Sequence, residues 1–190
     1  MNLLRAIAII FYSALLSGFA LAQDEQLEIR GFSLGISERE ANAQLDNINR
    51  ARTTPEKWSA QKKRQTLDCR KETNQVIGDR NCGFATIVVD RFTLVTFRFF
   101  EDKLGMAVFE LMPRREETLS QTFNDVTGAM KEKYGEPFAN STKPVWRRGE
   151  QSITVSREDE RVKVLLMSAS YASEVLRRKK EIDVRNAKKL

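Results

Sequence analysis

The spacing of apolar positions predicts a first amphipathic helix near the start of the chain. Ala41, Leu45 and Ile48 recur at helical spacing. Ser37 and Glu40 precede them in the order of a capping box, in which each side chain satisfies a backbone amide at the start of a helix. Before this helix, the apolar residues around 27–32 predict a short strand that breaks at Gly35.

A second helix is the clearest element of the pattern. Gly135 supplies its cap, and Pro137 prevents its continuation. Lys131 and Lys133 lie in its last turn, where positive charge favours the helix dipole. The residues on its single apolar stripe follow one another by three or four positions: Leu119, Phe123, Val126, Met130 and Tyr134.

The remaining apolar runs predict strands, because they are rich in β-branched and aromatic residues and are separated by short polar turns. In the middle run of the first group, Val95, Phe97 and Phe99 alternate with less apolar side chains, so one face points to the core. Six strands are predicted: 84–90, 92–100 and 104–112 in the first group, and 143–148, 152–157 and 161–168 in the second.

The order of these elements predicts an α+β fold. Two α-β-β-β units, at about 31–112 and 116–170, would form a single antiparallel sheet of about six strands with the helices packed on one face. The other face would be free to meet a partner. The polar residues 50–82 are interpreted as a connection, and the chain from Tyr171 onward as a closing helix that leads into a basic tail, residues 175–190.

The N-terminus has the features of an export signal. Arg5 precedes an apolar run of eleven residues, 6–16, and Ala20-Leu21-Ala22 fits an A-x-A cleavage pattern. The alternative is an uncleaved membrane anchor, but eleven residues are well short of the ~20 that span a bilayer. We therefore expect residues 1–22 to be removed after Ala22, a single domain at 23–174, and a periplasmic or secreted location.

Export favours a disulfide between the two cysteines, Cys69 and Cys82, because oxidising compartments promote pairing. The loop-entropy model gives a stabilisation of roughly 3 kcal/mol for a loop of this size. The alternative is a redox-active pair, but the spacing is not C-x-x-C and no histidine is present to activate a thiolate.

The formal charge of +6 is concentrated at the C-terminus. The last sixteen residues carry seven basic and two acidic side chains, whereas residues 23–174 are neutral. Such a tail can bind an anionic membrane or polymer, although a charge run can equally be a solvated end. The candidate contacts in this tail are Arg177, Arg178, Lys179 and Lys180, followed by Lys188 and Lys189.

Three segments of the sequence are similar to segments of a known group of proteins: GFSLGISEREA, FRFFEDKLGMAVFEL, and MKEKYGEP followed by VWRRGEQSITV. The chain resembles small exported bacterial domains of the β-lactamase-inhibitor-protein-like fold, which also includes lipoproteins of the outer-membrane barrel-assembly machinery. No lipobox cysteine follows the signal, which departs from the lipoproteins. The resemblance implies a binding or assembly module, since such domains generally lack catalytic sites of their own.

Candidate chemistry in the sequence is sparse. The chain has no histidine, which removes the usual general base and the commonest transition-metal ligand, so neither a metal nor a cofactor is predicted. Ser59 and Lys62 fit an S-x-x-K pattern, but its S-D-N and K-T-G companions are missing. The acidic groups Glu116-Glu117 and Glu158–160 are interpreted as solvated acids rather than a glycosidase pair. We therefore predict a protein that is not an enzyme.

The sequence predicts instead a binding protein that docks a sheet face on a protein or cell-envelope component. Trp146, Arg147 and Arg148 are the candidate contacts, since Trp and Arg are enriched at binding hot spots, although Trp146 could equally belong to the core. No nucleic-acid partner is predicted, because most of the eleven phenylalanines lie in patterned strands or the second helix. The alternatives are an envelope tether that uses the basic tail and a histidine-free hydrolase.

Overall fold

The computed structural model of the chain describes residues 26–51, 67–72, 76–88, 91–138 and 142–187. The predicted signal peptide with its cleavage site, the S-x-x-K pattern, and the tail residues Lys188 and Lys189 lie outside these residues. The elements in chain order are β1 (Glu28–Ile29), β2 (Phe32–Ser33), α1 (Glu38–Ala51), β3 (Asp68–Lys71), β4 (Arg80–Val88), β5 (Arg91–Phe100), β6 (Lys103–Leu111), α2 (Leu119–Tyr134), β7 (Val145–Arg148), β8 (Gln151–Glu158), β9 (Arg161–Ser168) and α3 (Ala169–Ala187).

The fold is α+β, as predicted, but the main sheet has seven antiparallel strands instead of about six, and β1 and β2 form a separate two-stranded sheet. The strand order is β3-β4-β5-β6-β9-β8-β7, so the two meanders meet where β6 pairs with β9. The additional strand is β3, which lies in the segment interpreted as a connection. Its sequence, DCRK, has no apolar alternation because it is an edge strand with mostly exposed side chains.

The core lies on one side of this sheet. Val95, Phe97 and Phe99 of β5 are buried, as their alternation predicts. Ala41 and Leu45 of α1 and the apolar stripe of α2 join the same core cluster. Both helices therefore cover one face, because each must bury its apolar stripe against a sheet.

The predicted helix ends are confirmed by their hydrogen bonds. The Ser37 backbone amide donates to Glu40 Oε2 at 2.7 Å, and the Glu40 amide donates to Ser37 Oγ at 3.2 Å. At the end of α2, Gly135 has a φ of +78° and donates its amide to the Lys131 carbonyl. These contacts fix the residue at which α1 begins and the residue at which α2 ends.

Helix α3 packs at the opposite side of the sheet from α1 and α2. Its buried residue Tyr171 lies over Gly105, and the Tyr171 ring centroid is 5.2 Å from that of Phe100. Phe100 follows Phe99 in β5, so its side chain points away from the core. The Tyr171 hydroxyl also donates to the Ile77 carbonyl at 2.6 Å. The predicted closing helix thus packs, at its start, on the sheet face opposite α1 and α2.

The predicted disulfide is present. Cys69 of β3 lies directly opposite Cys82 of β4, with a Cα–Cα distance of 4.0 Å, and the bond joins residues 13 positions apart. Cys82 is fully buried. The bond therefore ties the polar edge strand to the core.

Candidate interaction surfaces

On the sheet face opposite α1 and α2, helix α3 packs through Tyr171 over Gly105 and leaves neighbouring apolar side chains partly exposed. Residues directly opposed on antiparallel strands share a face, and Met106 opposes Met167 while Val108 opposes Leu165. Leu94 of β5 lies on the same face, which we name the open face and define by these five side chains. Val108 is buried by its neighbours, and the other four are partly exposed. The apolar strip thus lies on the central strands β6 and β9, and Leu94 of β5, opposite Glu110, lies diagonally next to Val108.

Ion pairs border this strip toward the β8–β9 turn. Arg161 donates to Glu110 at 3.1 Å, and Lys163 donates to Glu158 at 2.9 Å. The hydrogen bond from Lys163 holds the pKa of the Glu158 carboxyl below its ordinary value. Glu158 is therefore ionised at neutral pH and forms an ion pair with Lys163, so charged pairs border the apolar strip here.

The three candidates on β7 divide between the two faces. Trp146 lies in the core and donates its indole N–H to the Gly135 carbonyl at 2.7 Å. Arg148 also points to this side, where it donates to the Tyr134 carbonyl at the end of α2. Arg147 opposes Ser152, in the same row as Met167, and its guanidinium lies over the exposed Phe138 ring. Arg147 alone therefore borders the open face.

The first two arginines of the tail are engaged within the protein. Arg177 binds Glu174 through two hydrogen bonds and also pairs with Glu181. Arg178 pairs with Asp79 at 2.9 Å, and its guanidinium lies 4.1 Å from the centre of the Phe100 ring. Hydrogen bonds, first from Arg177 and then from Arg178, lower the pKa of Glu174 to about 2. The Arg178–Asp79 pair therefore ties α3 to the segment just before β4, whereas the pairs of Arg177 lie within α3.

The two tail lysines have a different environment. Lys179 and Lys180 are exposed and form no ion pair with any residue in the described part of the chain. From Lys179 to the end of α3, every side chain is exposed except the partly buried Ile182. This end of the helix therefore projects from the body.

A cleft of about 500 Å³ opens beside the base of α3. Phe100, Gly105 and Tyr171 line it together with charged residues of the β5–β6 turn and of α3. Glu174, one of its acids, has a pKa of about 2, far below the value that suits a general base at neutral pH. The Glu116-Glu117 pair lies elsewhere and does not line the cleft.

Glu117 differs from the solvated acid that the sequence predicted. Arg91, at the start of β5, is only 1% exposed and donates to both oxygens of Glu117, at 2.9 and 3.0 Å. Burial raises the pKa of the Glu117 carboxyl, but the Arg114 amide and the Arg91 guanidinium outweigh it, so the pKa is lowered overall. Asp125 of α2 contacts the same arginine. The cluster joins the sheet to α2, whereas Glu116 is exposed.

One feature of the sequence, the glycine within β6, could have indicated a contact that the apolar pattern does not show. A glycine within a strand often marks a bulge or a close approach, and Gly105 lies at the register shift between β5 and β6 and under Tyr171. The sequence gives no corresponding sign that Arg91 is buried, since an arginine next to a predicted turn is usually exposed to solvent.

The carboxylate of Glu38 and the sulfurs of Cys69 and Cys82 lie close enough together to surround an ion. Both sulfurs belong to the disulfide, so neither is a thiolate ligand. Across the described residues, none of the helices has the length and apolarity to cross a bilayer.

Comparison with known proteins gives no relative: no protein-family model, no curated protein and no solved structure matches this chain.

Proposed function

We propose that this is an exported, non-enzymatic protein that binds a protein component of the cell envelope through the open face. The observation that carries the proposal is the partly exposed apolar strip of Leu94, Met106, Leu165 and Met167 on the sheet side opposite α1 and α2. Side chains of this kind on a flat face gain free energy when a partner removes them from water, at roughly 25 cal/mol per Å² of apolar area.

The surroundings of the strip also support a protein partner. Ion pairs lie at one end, and Arg147 with the exposed Phe138 ring lies at the β7 edge. An apolar centre with a charged and aromatic rim is the usual composition of a protein–protein interface. The resemblance to β-lactamase-inhibitor-protein-like domains agrees with a binding role and stays a prediction, as do the signal peptide and the periplasmic location.

A non-enzymatic role is favoured by the state of the acids. The low pKa of Glu174 and the bonding of Glu117 to buried Arg91 leave both carboxylates ionised at neutral pH. Neither has the raised pKa that general acid catalysis requires.

Site-specific photocrosslinking tests the proposal. A photoreactive residue replaces Leu165 on the open face or, as a control, the exposed Asn124 on α2. In envelope extract we expect a discrete product from position 165, absent from position 124, that disappears when Leu94→Lys is added. Identical products from both positions, or a product unaffected by Leu94→Lys, would contradict binding through the open face.

A further inference from the structure

The end of α3 forms a second surface, separate from the open face. We name residues 176–187 the α3 arm. Within the described residues, Arg178 makes the last ion pair between α3 and the rest of the protein, with Asp79. The nine residues after it extend about 13 Å at 1.5 Å per residue. A helical segment of this length is marginal in water without packing, so the arm is suited to gain stability from an external contact.

The outward side of the arm combines apolar and basic groups. Leu176 is 68% exposed and Val184 is 49% exposed. They lie eight residues apart with Lys180 between them, a spacing that puts all three on one side of a helix. Lys179 and the acidic Asp183 border the same side and are exposed, so two lysines face one acid there. Lysine stems can lie along apolar surface while the ammonium groups reach outward.

From this arrangement we propose that the α3 arm docks on an anionic lipid bilayer surface. The charge of the chain is complementary to such a surface, because residues 175–190 hold seven basic and two acidic groups while residues 23–174 are neutral. Interfacial helices bind bilayers through apolar side chains in the headgroup region and through basic residues near anionic lipid. With only two apolar side chains on the arm, the contact is weak and falls as salt is added.

Two other occupants fit the arm less well. A second copy of α3 would bring Lys180 of each chain to the middle of the apolar stripe, where like charges oppose pairing. A soluble polyanion would use Lys179 and Lys180 but would leave Leu176 and Val184 in water.

The structure also reassigns roles within the predicted basic run. Arg177 and Arg178 are bound to Glu174, Glu181 and Asp79. Arg178 therefore ties the base of α3 to Asp79, Arg177 pairs with acids of α3 itself, and Lys179 and Lys180 carry the proposed lipid contact.

Flotation with lipid vesicles tests this proposal. The purified protein is mixed with vesicles of equal phosphatidylcholine and phosphatidylglycerol, or of phosphatidylcholine alone, at low and high salt. We expect binding to the anionic vesicles at low salt only. Lys179→Gln with Lys180→Gln is expected to weaken it about thirtyfold, from about fivefold for each lysine.

A matched control removes two charges from the body. Lys71 and Arg115 are exposed and distant in sequence from the arm, and Lys71→Gln with Arg115→Gln is expected to change vesicle binding less than threefold. An equal loss in this control would show attraction by net charge alone and would overturn the proposal, as would equal binding to neutral vesicles.

The apolar part of the proposal has its own test. Leu176→Ser with Val184→Ser is expected to weaken vesicle binding while binding to heparin stays unchanged. If vesicle binding also stays unchanged, the arm is a general polyanion site and the lipid assignment is wrong. Since Leu165 and Leu94 are not altered in these variants, failure here leaves the photocrosslinking result on the open face independent.

Discussion

The packing of α3 on Gly105 can be tested with a single methyl group. A Cβ at this position would lie 2.3 Å from Cδ2 and 2.9 Å from Cγ of the Tyr171 ring. Carbon atoms in contact are normally about 3.5–4.0 Å apart. The ring would therefore have to move by roughly 1 Å or more, and its hydroxyl bond to the Ile77 carbonyl at 2.6 Å opposes that movement.

The expected cost of Gly105→Ala is about 1–3 kcal/mol, the usual range for overpacking. Because Tyr171 is the buried residue of α3, this cost falls on the docking of α3 and leaves the central sheet folded. Hydrogen exchange of α3 amides should become about 5- to 150-fold faster, since 1.4 kcal/mol corresponds to a factor of ten. Exchange in β5 and β6 should change much less.

Gly128→Ala is the matched control. Gly128 lies within α2, where an added Cβ meets nothing within 4 Å, so alanine should stabilise the helix by up to about 1 kcal/mol. In a Tyr171→Ala background, Gly105→Ala should have almost no further effect, because the two residues act through one contact. If Gly105→Ala leaves α3 exchange unchanged in the wild-type background, the packing described for α3 is refuted.

Three further outcomes are expected from other contacts. Glu117→Gln should lower the urea midpoint clearly, because it removes a carboxylate that pairs with the buried Arg91. Glu116→Gln should have little effect, and equal midpoints for the two variants would contradict the cluster. Because the pKa of Glu174 is about 2, below its ordinary 4.5, the stabilisation from its ion pairs is complete above about pH 4.5 and is lost as the pH falls toward 2. The protection of α3 amides, corrected for the intrinsic pH dependence of exchange, should follow this course in the wild type and change less with pH in Glu174→Gln; the same pH dependence in both would contradict these ion pairs. Reduction of the disulfide should destabilise the protein by about 3 kcal/mol in urea, and a loss below 0.5 kcal/mol would contradict its role.

The sequence predicted those elements whose periodicity is strong. The stripe of α2 and the alternation of Val95, Phe97 and Phe99 each reflect burial against one core, so local pattern and tertiary structure agree. Strand β3 was missed because its stability comes from pairing with β4 and from the disulfide, neither of which leaves an apolar pattern in DCRK. Pairing with β4, and not the pattern of its own side chains, makes this segment a strand.

The candidate surfaces were less predictable because they depend on which face each side chain occupies. Arg147 and Arg148 are adjacent in sequence, yet strand alternation places them on opposite sides of β7. Likewise, Arg178 and Lys179 belong to one basic run, and only the contacts of Arg178 with Asp79 and Phe100 separate their roles. Such distinctions arise from long-range contacts, which composition and spacing do not encode.

Binding through the open face is tested most directly by the affinity of a partner captured through position 165. Its dissociation constant should be compared for the wild type, Leu165→Lys on the open face and Asn124→Lys on α2. A lysine in the apolar strip should weaken binding at least tenfold, since a buried charge without a partner costs more than 1.4 kcal/mol, while Asn124→Lys should change it less than twofold. Equal affinities for the wild type and Leu165→Lys would contradict binding through the open face.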